Sequence, residues 1–276
     1  MGPVFQLRRT DYSFSFLAGL FPVSTSDAPA IAVEDLVLAF GSFVVMRDLT
    51  FDVEQGEIFI IMGGSGSGKS TLLKHLFGLL YPSQGTIRLH GTDLWAMGEE
   101  ERDALRRQTG VLYQRGALWS TMTLVENIGL PLQEYTSLTA ADIERIAALK
   151  LALVGLRGFG SFYPHEISGG MQKRAALARA IALDPDILFF DEPTSGLDPV
   201  SARRLDDLIL QLRDSLDTTI VVVTHDLDSI FAIADRALYL DIETKTMSAL
   251  GPPDELRSNP PNERVYQFLT RSLDAD

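Results

Sequence analysis

Eight consecutive residues, Gly63-Gly64-Ser65-Gly66-Ser67-Gly68-Lys69-Ser70, combine four glycines with a lysine and three serines. They match the pattern G-x-x-x-x-G-K-[ST] in full, and its chemistry is that of holding phosphate. Glycine lets the backbone wrap an anion, with N–H groups turned inward at a helix start. Lys69 is placed to reach the β- and γ-phosphates of ATP, and the Ser70 hydroxyl to ligate Mg²⁺. Thr71, next in the chain, is counted with this nucleotide-binding set. Further on, Ile187-Leu-Phe-Phe-Asp191-Glu192 is an apolar run ending in two carboxylates. Beside a phosphate loop, Asp191 would hold Mg²⁺, and Glu192 could orient and deprotonate an attacking water.

A second glycine turn, Ser168-Gly169-Gly170, precedes Met171-Gln172 and a helical pattern. Exposed N–H groups and the positive end of a helix make another anion site on the same polypeptide. One chain brings one γ-phosphate within reach. Two such sites make sense if two subunits pair head to tail, each closing the other's nucleotide.

These groups need elements to position them. Ile31–Val33, Leu36–Leu38, Phe43–Val45 and Leu49–Val53 read as strands, with turns at Phe40-Gly41 and Gln55-Gly56. Ile58–Ile61 is a short apolar run of the buried-strand type, followed by the glycine loop and a helix over Ser70–Leu80. Pro82, Gly85 and Gly91 punctuate a hairpin-like stretch around Thr86–His90. Residues 117–165 read as a helical insert. Thr139-Ala-Ala-Asp142 fits a capping box there, with Ile143, Ile146, Leu149 and Leu153 expected on one face. Ser168-Gly-Gly opens a helix to Leu183, and Ile187–Phe190 and Thr219–Val223 are two further buried strands. Between those strands, Asp198 caps a helix with Pro199 in its first turn and Leu205, Leu208 and Leu212 on its apolar side. Strands alternating with helices predict an α/β fold with a mainly parallel sheet.

Bulk properties narrow the function. The chain has 276 residues, room for one large domain or two small ones, and 46% apolar with 22% charged residues, an ordinary globular balance. A net charge of −13 repels phosphodiester backbones and argues against a nucleic-acid partner. With no cysteine, disulfides, thiolate chemistry and Cys-based zinc sites are absent. No apolar run approaches the roughly 20 residues of a membrane-spanning helix, so any membrane segment must come from another chain. Arg8-Arg9, the apolar stretch Phe14–Phe21 and Ala28-Pro-Ala30 have the grammar of a secretory signal. Dependence on cytosolic ATP weighs against export, and residues 1–30 are expected to be a flexible or surface-docked extension.

Together these residues resemble the nucleotide-binding subunits of ATP-binding cassette (ABC) transporters, over about residues 31–250. The resemblance implies a P-loop ATPase domain at 31–250, with an antiparallel β subdomain, a helical subdomain near 117–165 and a C-terminal tail at 251–276. It implies that Phe40, which alone reads as a core aromatic, stacks on adenine. Gln114, in Tyr113-Gln114-Arg115, is similar to the glutamine that senses Mg²⁺ and the membrane partner. Ser168–Gln172 is similar to the family signature, with Ile167 for its usual leucine and Met171 ahead of Gln172. Ser195-Gly-Leu-Asp198 is similar to the loop that signals between two ATP sites, and His225 to the histidine that contacts the γ-phosphate. A narrower likeness, to the ATPases of MCE-type phospholipid transporters, lies in Gly116–Asn127, Pro131-Leu132, Val154–Arg157, Ser168–Ile181 and Asn259–Leu269. Amino-acid and osmolyte importers share parts of it. It implies a homodimer docked on an integral membrane permease at the cytoplasmic face of the inner membrane, with an MCE-type lipid-binding subunit.

Overall fold

Residues 28–114 and 116–271 are described by a computed structural model of the chain. The extension that reads as a signal falls largely outside them, as does Arg115.

Two sheets share one layer of core. The first is antiparallel, in the order β2-β1-β4-β5, with β1 at Ile31–Phe40, β2 at Phe43–Val53, β4 at Gln84–Leu89 and β5 at Thr92–Asp93. The second has the order β10-β9-β3-β8-β7-β6 and is parallel except for its edge strand β10 (Thr246–Gly251). Its other strands are β3 (Ile58–Gly63), β6 (Thr109–Leu112), β7 (Ile187–Asp191), β8 (Thr219–Val223) and β9 (Arg236–Asp241).

The continuous apolar runs have a reason. β3 is buried at every position because both of its faces meet protein. Phe59 and Ile61 point to the layer shared with the antiparallel sheet, whereas Ile58, Ile60 and Met62 point to the helical side. Val221 and Val223 against Ile220 and Val222 divide in the same way on β8. Phe51 of β2 stacks on Phe59 with ring centroids 5.5 Å apart, joining the two sheets. Each such large side chain stabilises the fold by about 1.5–3 kcal/mol through burial.

Nine α-helices surround these sheets among the described residues. α1 (Lys69–Leu76) follows β3, and α2 (Glu99–Arg106) precedes β6. α3 (Leu124–Tyr135), α4 (Ala140–Leu153) and α5 (Gly169–Ala180) pack together as the helical part. α6 (Pro199–Leu216) and α7 (Leu227–Ile233) flank β8. α8 (Pro253–Ser258) and α9 (Glu263–Thr270) fold back so that Leu256, Val265 and Leu269 join the core. None of the helices among the described residues is long and apolar enough to cross a membrane.

Five expectations change, the first being that the helix expected to reach Leu183 ends at Ala180, with Ile181 as its C-cap. The helix expected to reach Leu80 stops at Leu76, because Gly78 turns left-handed (φ 75°) and the Leu79 and Leu80 N–H groups close onto Lys74 O. Within 117–165, helix begins only at Leu124, where Thr123 and Glu126 form a complete capping box. The box at Thr139 is half made: Thr139 accepts from the Asp142 N–H, while the shorter Asp142 carboxylate turns to the Thr139 hydroxyl and Arg145. Finally, α4 buries Ala147, Lys150 and Leu151, and it leaves Leu149 and Leu153 exposed.

Candidate functional site

The parallel strands run their C-terminal ends to one edge of the sheet, and three loops meet there, after β3, β7 and β8. This edge is where open α/β sheets bind ligands. The loop after β3 is shaped by glycine. At Gly63 (φ 147°) an added Cβ would stand 2.5 Å from Leu240 O and 2.8 Å from Ser67 Oγ, so only glycine fits. Gly68 is left-handed (φ 83°) and starts α1 with no capping side chain and no acidic residue in the first turn. The helix therefore offers bare N–H groups and its positive end. Ser67 Oγ is fully buried and without a hydrogen-bond partner. Lys69 Nζ donates to Gly63 O (2.9 Å) and Gly64 O (2.7 Å), folded over the loop's own carbonyls. Burial pushes its pKa down, and Glu192 and Asp191 push it back up. Ser65 and Gly66 are exposed in the turn, with Ile242 beside Gly66, and Thr71 stands in the first turn of α1.

Across the sheet, Ser70 Oγ donates to Asp191 Oδ1 at 2.8 Å, bringing together two residues 121 positions apart. Two hard oxygen donors side by side suit Mg²⁺, which takes one or two protein oxygens and completes its shell with water and phosphate. The donor set, the bare helix start and the unpaired Ser67 hydroxyl all fit a Mg·nucleotide.

Glu192 follows Asp191 in a left-handed conformation (φ 50°), which non-glycine residues hold only when fixed by their surroundings. Its N–H donates to Val223 O at 2.8 Å. Its Oε1 lies 2.7 Å from His225 Nδ1, with Glu192 nearly buried and His225 exposed. His225, Glu192 and Ser195 line one cleft of about 420 Å³, together with Asp226 and Arg271. Gln114 Nε2 donates to Ser195 Oγ at 3.5 Å, so the glutamine reaches the same edge. The Asp198 carboxylate is committed to capping α6, accepting from Val200 N, Ser201 N and the Ser201 hydroxyl.

Three expected residues stand apart from this cluster. Phe40 is exposed at the end of β1 and is not a core aromatic. Ser168 and Gly169 are exposed at the start of α5, where Ser168 Oγ accepts only from Met171 N within its own helix. An added Cβ at Gly169 would meet nothing within 4 Å.

Other residues at the site carry no local signal. Lys173 of α5 is buried and donates to the carbonyls of Gln114 and Glu192. Buried Asn127 accepts from Trp119 N and donates to the carbonyls of Trp119, Met122 and Thr123, bracing the loop after Gln114. That loop shows Trp119 to solvent at 58% exposure.

Residues 46–195 match the family model described as ABC transporter. The chain is 41% identical to the intermembrane phospholipid transport system ATP-binding protein MlaF of Haemophilus influenzae, over 88% of this chain and 91% of that one. It is also 45% identical to the probable ribonucleotide transport ATP-binding protein mkl of Mycobacterium leprae, over 87% of this chain and 68% of that one. Among solved structures, a dimeric ATP-binding cassette in a post-hydrolysis state, bound to ADP and Pi, aligns with TM-score 0.73 and 27% identity, covering 80% of this chain and 98% of that one.

Proposed function

The chain belongs to the ABC transporter family as an ATP-hydrolysing subunit, and from that premise we propose that it powers phospholipid transport between membranes. The supporting observation is the length of the match, since identity alone is higher to the ribonucleotide-named relative, 45% against 41%. The likeness to the phospholipid-system ATPase spans 91% of that protein, against 68% of the ribonucleotide-named relative.

In this reading the phosphate loop and Lys69 hold the β- and γ-phosphates, and Phe40 lies against the adenine. Ser70, Asp191 and Gln114 would hold Mg²⁺, which would supply charge neutralisation on the phosphates. Glu192 takes the proton of the attacking water, His225 fixes that carboxylate and faces the γ-phosphate, and buried Lys69 stabilises charge on the leaving side. Two copies close head to tail, with Ser168, Gly169 and Gly170 of each gripping the other's γ-phosphate and Asp198 in the loop between sites. ATP favours the closed pair because only the intact triphosphate bridges both halves. Opening after hydrolysis moves an integral membrane permease at the cytoplasmic face of the inner membrane, which acts with an MCE-type lipid-binding subunit.

Exposed Trp119 is the proposed anchor for a permease helix, since aromatic residues at an interface centre can each contribute about 2 kcal/mol or more. The assembly isolated from membranes and placed in phospholipid vesicles tests the reading. Hydrolysis should rise with a phospholipid acceptor present, and Trp119→Ala should remove both that rise and the co-purifying permease while ATP affinity stays. Stimulation by ribonucleotides or amino acids in place of lipid would overturn the substrate.

A further inference from the structure

α5 carries more than the glycine turn at its N-terminus. Three of its basic side chains are spent on backbone carbonyls of distant loops. Arg174 donates to Val154 O and Gly155 O, and Arg179 to Gly116 O and Ala117 O. Lys173 differs from both in where it reaches. Its ammonium bridges the carbonyl of Gln114 and, at 3.2 Å, the carbonyl of Glu192. It is 8% exposed, and the carboxylates of Asp191 and Glu192 lie near enough to oppose the effect of burial on its charge.

The Glu192 backbone makes this contact consequential. Its left-handed conformation (φ 50°) is unfavourable for a residue with a side chain and must be imposed from outside. The imposing contacts are the Glu192 N–H on Val223 O, the Ser195 N–H on Glu192 O, and Lys173 Nζ on that same oxygen. Lys173 alone among these three comes from the helical part, and it alone also holds Gln114.

We propose that Lys173 is a positioning residue for hydrolysis: it fixes the Glu192 carboxylate through the Glu192 carbonyl and ties it to Gln114 and α5. A shift of α5 then displaces the water-activating carboxylate by way of one ammonium group. Charge-assisted hydrogen bonds of this kind are roughly twice as strong as neutral ones, so the tether holds against thermal motion. The inference rests on Glu192 being the base.

The full-length chain in its membrane assembly gives the test, with Lys173→Met, Lys173→Gln and Lys173→Arg compared. Lys173→Met keeps an apolar stem and loses every donor. Its kcat should fall about 10- to 100-fold, the scale of a small misplacement of a catalytic group, while KM and Mg·ATP affinity stay within about twofold. Lys173→Arg still donates and should recover kcat to within about threefold. Lys173→Gln keeps one donor group, should lie between them, and serves if the methionine variant does not fold. Full turnover in Lys173→Met or Lys173→Gln overturns the proposal, as does a parallel loss of ATP affinity. So does an arginine variant as slow as the methionine one. Glu192→Gln run alongside separates the two ideas. Normal turnover there removes Glu192 as base and Lys173 with it. A dead Glu192→Gln beside an active Lys173→Met removes Lys173 alone.

Discussion

The chain holds two glycine turns that each open a helix, and they are built to opposite specifications. The turn at 63–70 is enclosed: Gly63 abuts Leu240 O, Ser67 Oγ is buried, and Lys69 is wrapped over the loop. The turn at 168–170 is open, with Ser168 and Gly169 facing solvent. Enclosure makes a complete grip on a phosphate chain. Openness makes a surface that acquires a ligand only when something else brings one. Burial costs a glycine loop its tolerance to mutation but gives it fixed geometry, and the open turn has the reverse balance. In the proposed head-to-tail pair, a chain with one of each would supply half of two sites, in keeping with the dimeric post-hydrolysis cassette it resembles.

The largest expected effect lies in the enclosed half. Glu192→Gln keeps the shape of the side chain and removes the proposed base, so kcat should drop about 10²–10⁴-fold with Mg·ATP still bound. Gel filtration should then show a dimer persisting in ATP. Normal turnover would sink the role assigned to Glu192.

Next come the two turns in direct opposition. Lys69→Ala loses an ammonium that serves ground and transition states alike, so ATP affinity should fall about 10- to 100-fold. Ser168→Arg should leave the affinity of the isolated subunit intact and stop hydrolysis. Mixed dimers of the two variants place both lesions in one composite site and leave the other whole. Nucleotide trapping in half of the sites is the expected result, and one defect in each site would refute the head-to-tail pairing.

Glycine replacement sharpens the contrast. Gly63→Ala drives a Cβ onto backbone, which should cost at least about 2 kcal/mol and lower the melting temperature by about 4–8 °C. Gly169→Ala meets no atom of its own chain, so melting should not change. Hydrolysis should fall all the same if a partner's phosphate approaches there. A fully active Gly169→Ala would mean that nothing docks on the open turn.

Legibility followed locality. The enclosed turn is contiguous, and β3, β7 and β8 announce themselves as unbroken apolar runs, so the loop, Asp191 and Glu192 can be read from order alone. Lys173 cannot, because its two acceptors lie 59 and 19 residues away. Asn127 reads as an ordinary helix residue until its loop folds over it. The face of α4 is ambiguous for another reason: Leu149 and Leu153 satisfy helical spacing as well as Ala147 and Leu151 do, and packing against α3 and α5 decides between them. The folding back of α8 and α9 likewise depends on partners in β9 and β10 that no local pattern marks.

The smallest effect concerns what supports the open turn. Gly170 rests near Leu197 and Ser201 at the start of α6, and on the buried side of that helix lies Asp206. Its Oδ2 accepts from Ser229 Oγ at 2.9 Å, and its Oδ1 has no partner. Burial, chiefly, lifts its pKa to about 6; Asp226 and Asp207 add to this, while Ser229 and Arg203 oppose it. The folded protein therefore holds a proton that the unfolded chain releases near pH 4, the ordinary range for an aspartate. Stability from this group is complete below that pH, declines as pH rises to about 6, and is absent above. An asparagine in place of the aspartate would match the protonated form at every pH. Asp206→Asn should thus be more stable than the parent in urea at pH 8, and by about 1.4 kcal/mol more than its advantage at pH 5, one pH unit below the pKa. Hydrolysis at pH 8 should change little, since the open turn needs the shape of this support and not its charge. An advantage that is constant with pH, or that grows toward acid, would mean that Asp206 is charged in the fold and that the ionised carboxylate holds α6 against α7.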